Sequence, residues 1–194
     1  MIEWLKEIEQ TILISINSTH SPFLDWLMWW ISDKFIWFPF YLLLFVLVYL
    51  KYSLKHALWF TVFGFAAVGL ADFTANFGFK HTFMRYRPSH HLTLGEKLRF
   101  YEMKPSEFYK GGQYGFISGH ATNSFVIAVM FIQQLKPKIK FITPILLFWA
   151  LIVCYSRMYL GVHYPTDIIG GALWGSGIAL LFHWIYRKTI LKTV

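Results

Sequence analysis

The sequence predicts an all-α membrane protein: a polytopic bundle of about five transmembrane helices behind N-terminal interfacial helices, in a single domain over residues 1–194. Three observations carry this. The 194-residue chain is 56% hydrophobic, 21% aromatic and only 14% charged, with a mean hydropathy of +0.46, outside the range of ordinary soluble domains. Five apolar stretches have lengths near the about 20 residues that cross a bilayer. The cations between those stretches fall into two groups, one in short basic connectors and one in longer mixed segments.

The elements follow in chain order. Residues 2–16 carry Trp4, Leu5, Ile8, Ile12 and Ile16 at helical spacing with Lys6, Glu7, Glu9 and Gln10 between them, the pattern of an amphipathic helix lying at the interface. A helix packed on the bundle is the alternative. The first residues are acidic where a signal peptide is basic, so this segment is expected to stay on the mature protein. Residues 22–31 form a short tryptophan-rich segment, also expected at the interface, which makes 1–33 an interfacial region. The spans are expected at residues 35–50, 56–79, 119–135, 139–155 and 168–186. The first and fourth are marginal in length, and the first is open to extension back through Asp33 and Lys34. Between the second and third lies a long outer loop, residues 80–116. Connectors of that length are usually functional, and its tail, Lys110-Gly-Gly-Gln-Tyr-Gly115, has the composition of a hinge.

Charge placement sets the orientation. Lys51, Lys55, Lys136, Lys138, Lys140, Arg187, Lys188 and Lys192 all fall on one side of a five-span arrangement, and no acid joins them. Short, purely basic loops mark the cytoplasmic face. The net charge of +8 therefore has a topological explanation, and no nucleic-acid partner is expected. Cys154 is the only cysteine, so neither an internal disulfide nor a cysteine zinc site is available.

The opposite face gathers the chemistry. Lys80, Arg87 and Arg157 are cations at helix ends, suited to the nearly doubly charged oxygens of a phosphomonoester. Each alone reads as well as a headgroup anchor. Ile117-Ser118-Gly119-His120 opens an apolar run, so Gly119 and the Ser118 hydroxyl stand at a helix N-terminus where free N–H groups and the helix dipole attract anions; Ser118 also reads as an N-cap. His120 and His163 supply imidazoles, which serve as nucleophile or proton donor near neutral pH. Asp167, four residues after His163, can accept one ring N–H and so fix the tautomer. An isolated histidine is usually structural, and His20, His56, His81, His90, His91 and His183 stay in that class. Asp72, inside the second span, is expected to pair with a motif arginine or cap a polar cluster. Gly170, Gly171, Gly175 and Gly177 in the last span allow close helix approach, within the bundle or in a homodimer.

The three groups Lys80-x6-Arg87-Pro88, Ser118-Gly119-His120 and Ser156-Arg157-x5-His163-x3-Asp167 resemble the three-part signature of type 2 phosphatidic acid phosphatases, integral-membrane lipid phosphate phosphatases whose active-site pattern is shared with vanadium haloperoxidases. The motifs occur in family order over nearly half the chain. One departure is visible: Ile117 stands where the family usually has proline. The resemblance implies that His163 is the nucleophile, forming a phosphohistidine, that Asp167 orients it, and that His120 protonates the leaving alkoxide and later activates water. It further implies that Lys80, Arg87, Ser118, Gly119 and Arg157 bind phosphate, with no metal and no cofactor. The expected function is hydrolysis of a phosphomonoester or pyrophosphate on a membrane lipid, at the outer face of a bacterial-type inner membrane. Phosphatidic acid, phosphatidylglycerophosphate, undecaprenyl diphosphate and lipid A phosphates are the candidate substrates. A vanadate-dependent peroxidase is disfavoured by the apolar spans. A non-catalytic phospholipid-binding or transport protein would need the cations but has no use for a His163–Asp167 pair.

Overall fold

The computed structural model describes residues 3–190; Met1 and Ile2, at the start of the amphipathic segment, and Lys192, counted in the last basic group, lie outside them. The chain forms α1 (Glu3–Ser18), α2 (Pro22–Ser32), α3 (Phe38–Lys51) and α4 (Leu54–Phe73). A π-helical turn (Thr74–Phe79) joins α4 to a short α5 (Lys80–Phe83), giving one apolar rod over Leu54–Phe83. The outer loop holds two 3-10 turns and a small antiparallel ribbon, β1 (Glu102–Lys104) with β2 (Glu107–Phe108). Then come α6 (Gly119–Leu135), α7 (Ile142–Tyr159) and α8 (Pro165–Thr189).

Three helices, Leu54–Phe83, Ile142–Tyr159 and Pro165–Thr189, are long and apolar enough to cross a membrane. Of the five expected spans, α3 with 14 residues and α6 with 17 are shorter. The shortness of α6 has a packing reason. It is the central helix, packed against α3, α4, α7 and α8, with Ala121, Val126, Ala128, Met130 and Leu135 buried. A helix enclosed by protein need not match the thickness of the hydrocarbon. Around it, α4, α7 and α8 turn Phe65, Phe148, Leu151, Leu173 and Trp184 outward, a continuous apolar exterior that a bilayer covers.

The first span does not extend back through Asp33 and Lys34. Asp33 ends α2, its N–H bonding Trp30 O at 3.0 Å, and its carboxylate accepts the Phe35 N–H at 2.9 Å. Ahead of it, α1 has two characters. Trp4, Ile8 and Ile12 are exposed, whereas Glu9, Leu13 and Asn17 are buried against α7, α8 and the outer loop. Asn17 ties the helix down: its Nδ2 donates to Arg99 O at 2.8 Å and Tyr159 O at 2.7 Å, and its Oδ1 accepts the Arg99 N–H at 2.8 Å. The amphipathic segment is thus docked on the bundle through Glu9, Leu13 and Asn17 and keeps Trp4, Ile8 and Ile12 outward.

Small residues bring α8 onto α6. A Cβ at Gly171 would come 2.6 Å from Ser118 O, and one at Gly175 would overlap the Thr122 carbonyl; at Gly170 it would meet Ile117 at 2.8 Å. Ile117, in place of the family's proline, therefore fills a core position beside Gly170. Packing within the bundle accounts for these three glycines; Gly177 meets nothing.

The two ends of the bundle differ. At one, Tyr52 OH donates to Gln134 O at 2.6 Å, His183 Nε2 lies 3.2 Å from Gln134 Oε1, and Lys138 sits over the Tyr52 ring. This end holds the basic connectors. At the other end the long loop and the termini of α5, α6, α7 and α8 meet. Gly175→Ala is expected to lower stability by about 1–3 kcal/mol through overpacking, whereas Gly177→Ala is expected to be neutral or slightly stabilising, since alanine is the better helix former. Thermal denaturation in detergent checks the pair; equal midpoints would contradict the packing described.

Candidate active site

Three helix ends and one loop deliver the charged groups to a cavity of about 620 Å³. On the rod of α4 and α5, Asp72, Asn76 and Lys80 recur every four residues and so stack on one face. Asn76 Nδ2 donates to Asp72 Oδ2 at 3.0 Å, and Lys80 Nζ donates to Asn76 Oδ1. Asn123 of α6 donates to the other Asp72 oxygen at 3.0 Å. Asp72 thus caps a polar cluster and pairs with no arginine among the described residues.

Arg87 follows α5 and is wrapped by the tail of the outer loop. Its N–H bonds Gln113 O at 3.0 Å and its Nε bonds Tyr114 O at 3.2 Å. Gly111, at φ +64°, passes so close that a Cβ would lie 2.5 Å from Arg87 Nη1. With the Gly115 N–H on Arg85 O at 2.8 Å and a bridge between Tyr86 and Tyr114, this tail is a tied strap rather than a hinge. Burial, and then the charge of Arg157, hold the Arg87 guanidinium down at about 10, so it stays cationic at neutral pH.

Arg157, at the end of α7, is 2% exposed. It donates to Ser32 Oγ and, at 2.8 Å, to Tyr109 OH. Arg87 Nη1 and Arg157 Nε are buried donors without a partner among the described residues. Two unsatisfied guanidinium N–H groups beside one cavity are a site for an anion.

His163 lies in the turn before α8 and is 1% exposed. Its Nδ1 is 3.3 Å from Asp167 Oδ2. Asp167 is fully buried and accepts the Tyr164 N–H on the same oxygen at 3.0 Å. A carboxylate in that place selects the Nδ1–H tautomer and leaves the lone pair on Nε2. Burial first, then the charges of Arg87, Arg157, His120 and Lys80, depress His163 well below the usual histidine range, which keeps the ring neutral and nucleophilic.

His120 starts α6, and its Nε2 is 3.1 Å from the Ser32 carbonyl oxygen. That oxygen only accepts, so Nε2 carries the proton of the neutral ring and Nδ1 is available for proton transfer. Lys80, Arg87, Gly119, His120, Arg157 and His163 all line the cavity, with Asp167 directly behind His163. Ser118 does not line it: its hydroxyl caps α6, accepting the Ala121 N–H at 3.4 Å, and the residue is fully buried. None of the six remaining histidines lines it.

Four residues around the site went unread in the sequence. Arg85 bonds Asp167 Oδ1 at 2.9 Å and Thr166 Oγ1 at 2.6 Å, lies 4.2 Å over the Tyr164 ring, and pairs with the buried Glu9. Glu9 also accepts the Thr166 hydroxyl. Ser32 and Tyr109 steady Arg157 and His120 as described. Arg85 stands between two motif cations, and Glu9 is one acid of a polar face, so neither differs by type or spacing from an ordinary surface charge.

The electrostatics of His163 carry a pH signature. Its pKa is lowered on folding, so below the ordinary value of about 6.5 the unfolded chain takes up a proton that the folded chain does not. Stability should then fall as pH drops below that value, by up to about 1.4 kcal/mol per pH unit for this one group. In phosphate-free detergent buffer, His163→Gln is expected to show a smaller loss of denaturation midpoint between pH 7.5 and 5.5 than the wild type. Parallel losses would contradict it.

Known proteins resemble the chain in both sequence and fold. Along the sequence, the pattern of the PAP2 superfamily matches residues 57–191. A lipid A 4'-phosphatase of Bacteroides thetaiotaomicron is 31% identical over 189 residues, covering 97% of this chain and 81% of that protein. The lipid A 4'-phosphatase of Porphyromonas gingivalis is 32% identical over 186 residues, covering 96% and 75%. Among solved structures, a transmembrane PAP2-type phosphatidylglycerolphosphate phosphatase from Bacillus subtilis superposes with a TM-score of 0.66 over 95% of this chain and 87% of that one, at 20% identity, a likeness of fold. With more than half its length matched by the family pattern and all three motifs in order, the chain belongs to the PAP2 superfamily of membrane phosphatases.

Proposed function

We propose that this protein removes the phosphate of a membrane lipid by double displacement at His163, with a lipid A-type phosphomonoester as the favoured substrate. The observation that carries the reading is the buried His163–Asp167 pair facing a cavity with three cations and a second imidazole. A protein that only bound or moved phospholipids would use the cations and leave that pair idle. The lipid A assignment rests on the two relatives that align over nearly the whole chain.

In the first step, His163 Nε2 attacks phosphorus while Asp167 Oδ2 holds the Nδ1 proton and offsets the growing ring charge. The bond from phosphorus to the lipid oxygen breaks as the nitrogen–phosphorus bond forms. The charge of the bound phosphate dianion lets His120 take up a second proton, at Nδ1, and the ring delivers that proton to the leaving oxygen with Nε2–H held on the Ser32 carbonyl. Lys80, Arg87, Arg157 and the Gly119 N–H stabilise the equatorial oxygens, each such donor contributing about 3–4 kcal/mol at the transition state by analogy with oxyanion holes. Ser118 contributes by capping α6, which fixes Gly119 and His120. In the second step His120 takes a proton from water, which attacks phosphorus and frees His163 and inorganic phosphate. The protein's own cations neutralise the phosphoryl charge, so the reaction runs without a metal or cofactor.

In this reading residues 1–194 act as one domain, since α1 supplies Glu9 to the support of Asp167. The basic connectors lie in the cytoplasm, and the cavity opens at the outer, periplasmic face of a bacterial-type inner membrane.

His163→Ala is expected to abolish phosphate release from lipid A, to below about a thousandth of the wild-type rate by the scale of nucleophile removal, with unchanged expression and elution volume. Retained turnover would remove the assignment. Phosphate release should persist in EDTA; restoration only by added magnesium would overturn the metal-free mechanism. Glu9→Gln leaves Arg85 to draw on Asp167 alone, and is expected to lower kcat about tenfold with KM within about twofold, as for a group acting only in the transition state. A change confined to KM would contradict that role.

A further inference from the structure

The cavity extends deeper into the bundle than a phosphate needs, and its inner wall carries polar atoms of a different kind. Asp72 lies eight residues before Lys80, Trp149 eight before Arg157, and Asn123 three after His120. At about 1.5 Å per helical residue they stand roughly 5–12 Å to the membrane side of Lys80, Arg157 and His120. All three line the same cavity.

Two of them have buried polar atoms with no partner among the described residues: Asn123 Oδ1 and Trp149 Nε1. The orientation of the Asn123 amide is set by chemistry, because its Nδ2 donates to Asp72 Oδ1 at 3.0 Å and the reversed amide would set oxygen against carboxylate. Its oxygen is therefore an acceptor waiting for a donor. Trp149 Nε1 is a donor waiting for an acceptor, and its ring is fixed by edge contacts with Trp37 at 5.7 Å and Tyr41 at 6.0 Å. A phosphate dianion does not answer both needs: it has no donor for Asn123, and Asp72 repels a second phosphoryl group at this depth.

A ligand group that answers both atoms offers one N–H or O–H donor and one oxygen acceptor beneath its phosphate. A secondary amide does both. The ester linkages of a glycerophospholipid offer acceptors only, and a polyprenyl chain offers neither. We propose that Asn123 and Trp149, backed by Asp72, form a subsite for the amide linkage of an N-acylated lipid phosphate, so that the substrate class is a phosphorylated lipid with an amide-linked acyl chain, such as an acylated aminosugar. This rests on the lipid phosphatase reading and adds to it the group by which the substrate is chosen.

The test measures phosphate release by the full-length protein in detergent from lipid A, from ceramide 1-phosphate, and from phosphatidic acid of matched chain length. Ceramide 1-phosphate carries the amide without the sugar. The wild type is expected to prefer both amide lipids over phosphatidic acid by about tenfold in kcat/KM, the scale on which a site built for a polar group discriminates. Trp149→Phe and Asn123→Ala are each expected to bring that ratio close to one. An unchanged ratio in both variants, or a wild type that prefers phosphatidic acid, would overturn the subsite while leaving the phosphatase reading intact. Release from none of the three lipids would overturn both.

Discussion

Burying charge at the edge of a membrane is the constraint on which the rest of this structure depends. Asp167, Arg157, Arg87 and Glu9 are all at most 8% exposed, and an isolated buried ion would cost several kcal/mol. Each must therefore have a partner, and the partners come from every part of the chain. Asp167 stands between His163 and Arg85, and Arg85 stands between Asp167 and Glu9. The negative charge of Glu9 balances Arg85 and leaves Asp167 able to serve the imidazole. Position and charge are set by the same contacts.

That constraint explains the uneven build of the bundle. At the outer end, the strap over residues 110–115 closes on Arg87 through backbone carbonyls, and glycines at 111 and 115 allow the approach. Asn17 clasps the loop to α1 and α7. On the inner side, α8 lies against α6 through Gly171 and Gly175. This sets the start of α8, with Asp167, beside the start of α6, with His120; the Ser118 N–H bonds Asp167 O at 3.0 Å. Close helix packing in the apolar part thus fixes the spacing of polar groups above it.

The cavity joins two kinds of recognition. Its outer end gathers cations and N–H donors around two imidazoles, which suits phosphate oxygens. Its inner wall combines acceptors, an indole N–H and aromatic rings, which suits the polar linkage region of a lipid followed by its chains. A ligand filling both is amphiphilic, and it must lie with its phosphate at the membrane surface and its chains inward. The orientation of the substrate and that of the helices are therefore the same fact.

The sequence by itself determined the fold class and the phosphatase family. Apolar runs of spanning length admit little besides helices in a bilayer, because every backbone group must be bonded within its own segment. The three motifs were legible because phosphate transfer needs particular residue types at helix ends, and Lys80, Arg87, Gly119, His120, Arg157 and His163 do meet in one cavity. Only the tertiary structure decided which side chain turns which way. Ser118 reads as a phosphate ligand or as a cap, and its hydroxyl lies on the helix start. Glu9 and Arg85 read as ordinary interfacial charges until folding places them 76 residues apart in sequence and in contact. Asp72 reads as a partner for arginine or as the cap of a polar cluster, and it holds two amides. The physical reason is common to all three: local pattern specifies the type of group and the face of the helix it stands on, whereas a partner from a distant segment is chosen by packing, which no local pattern records.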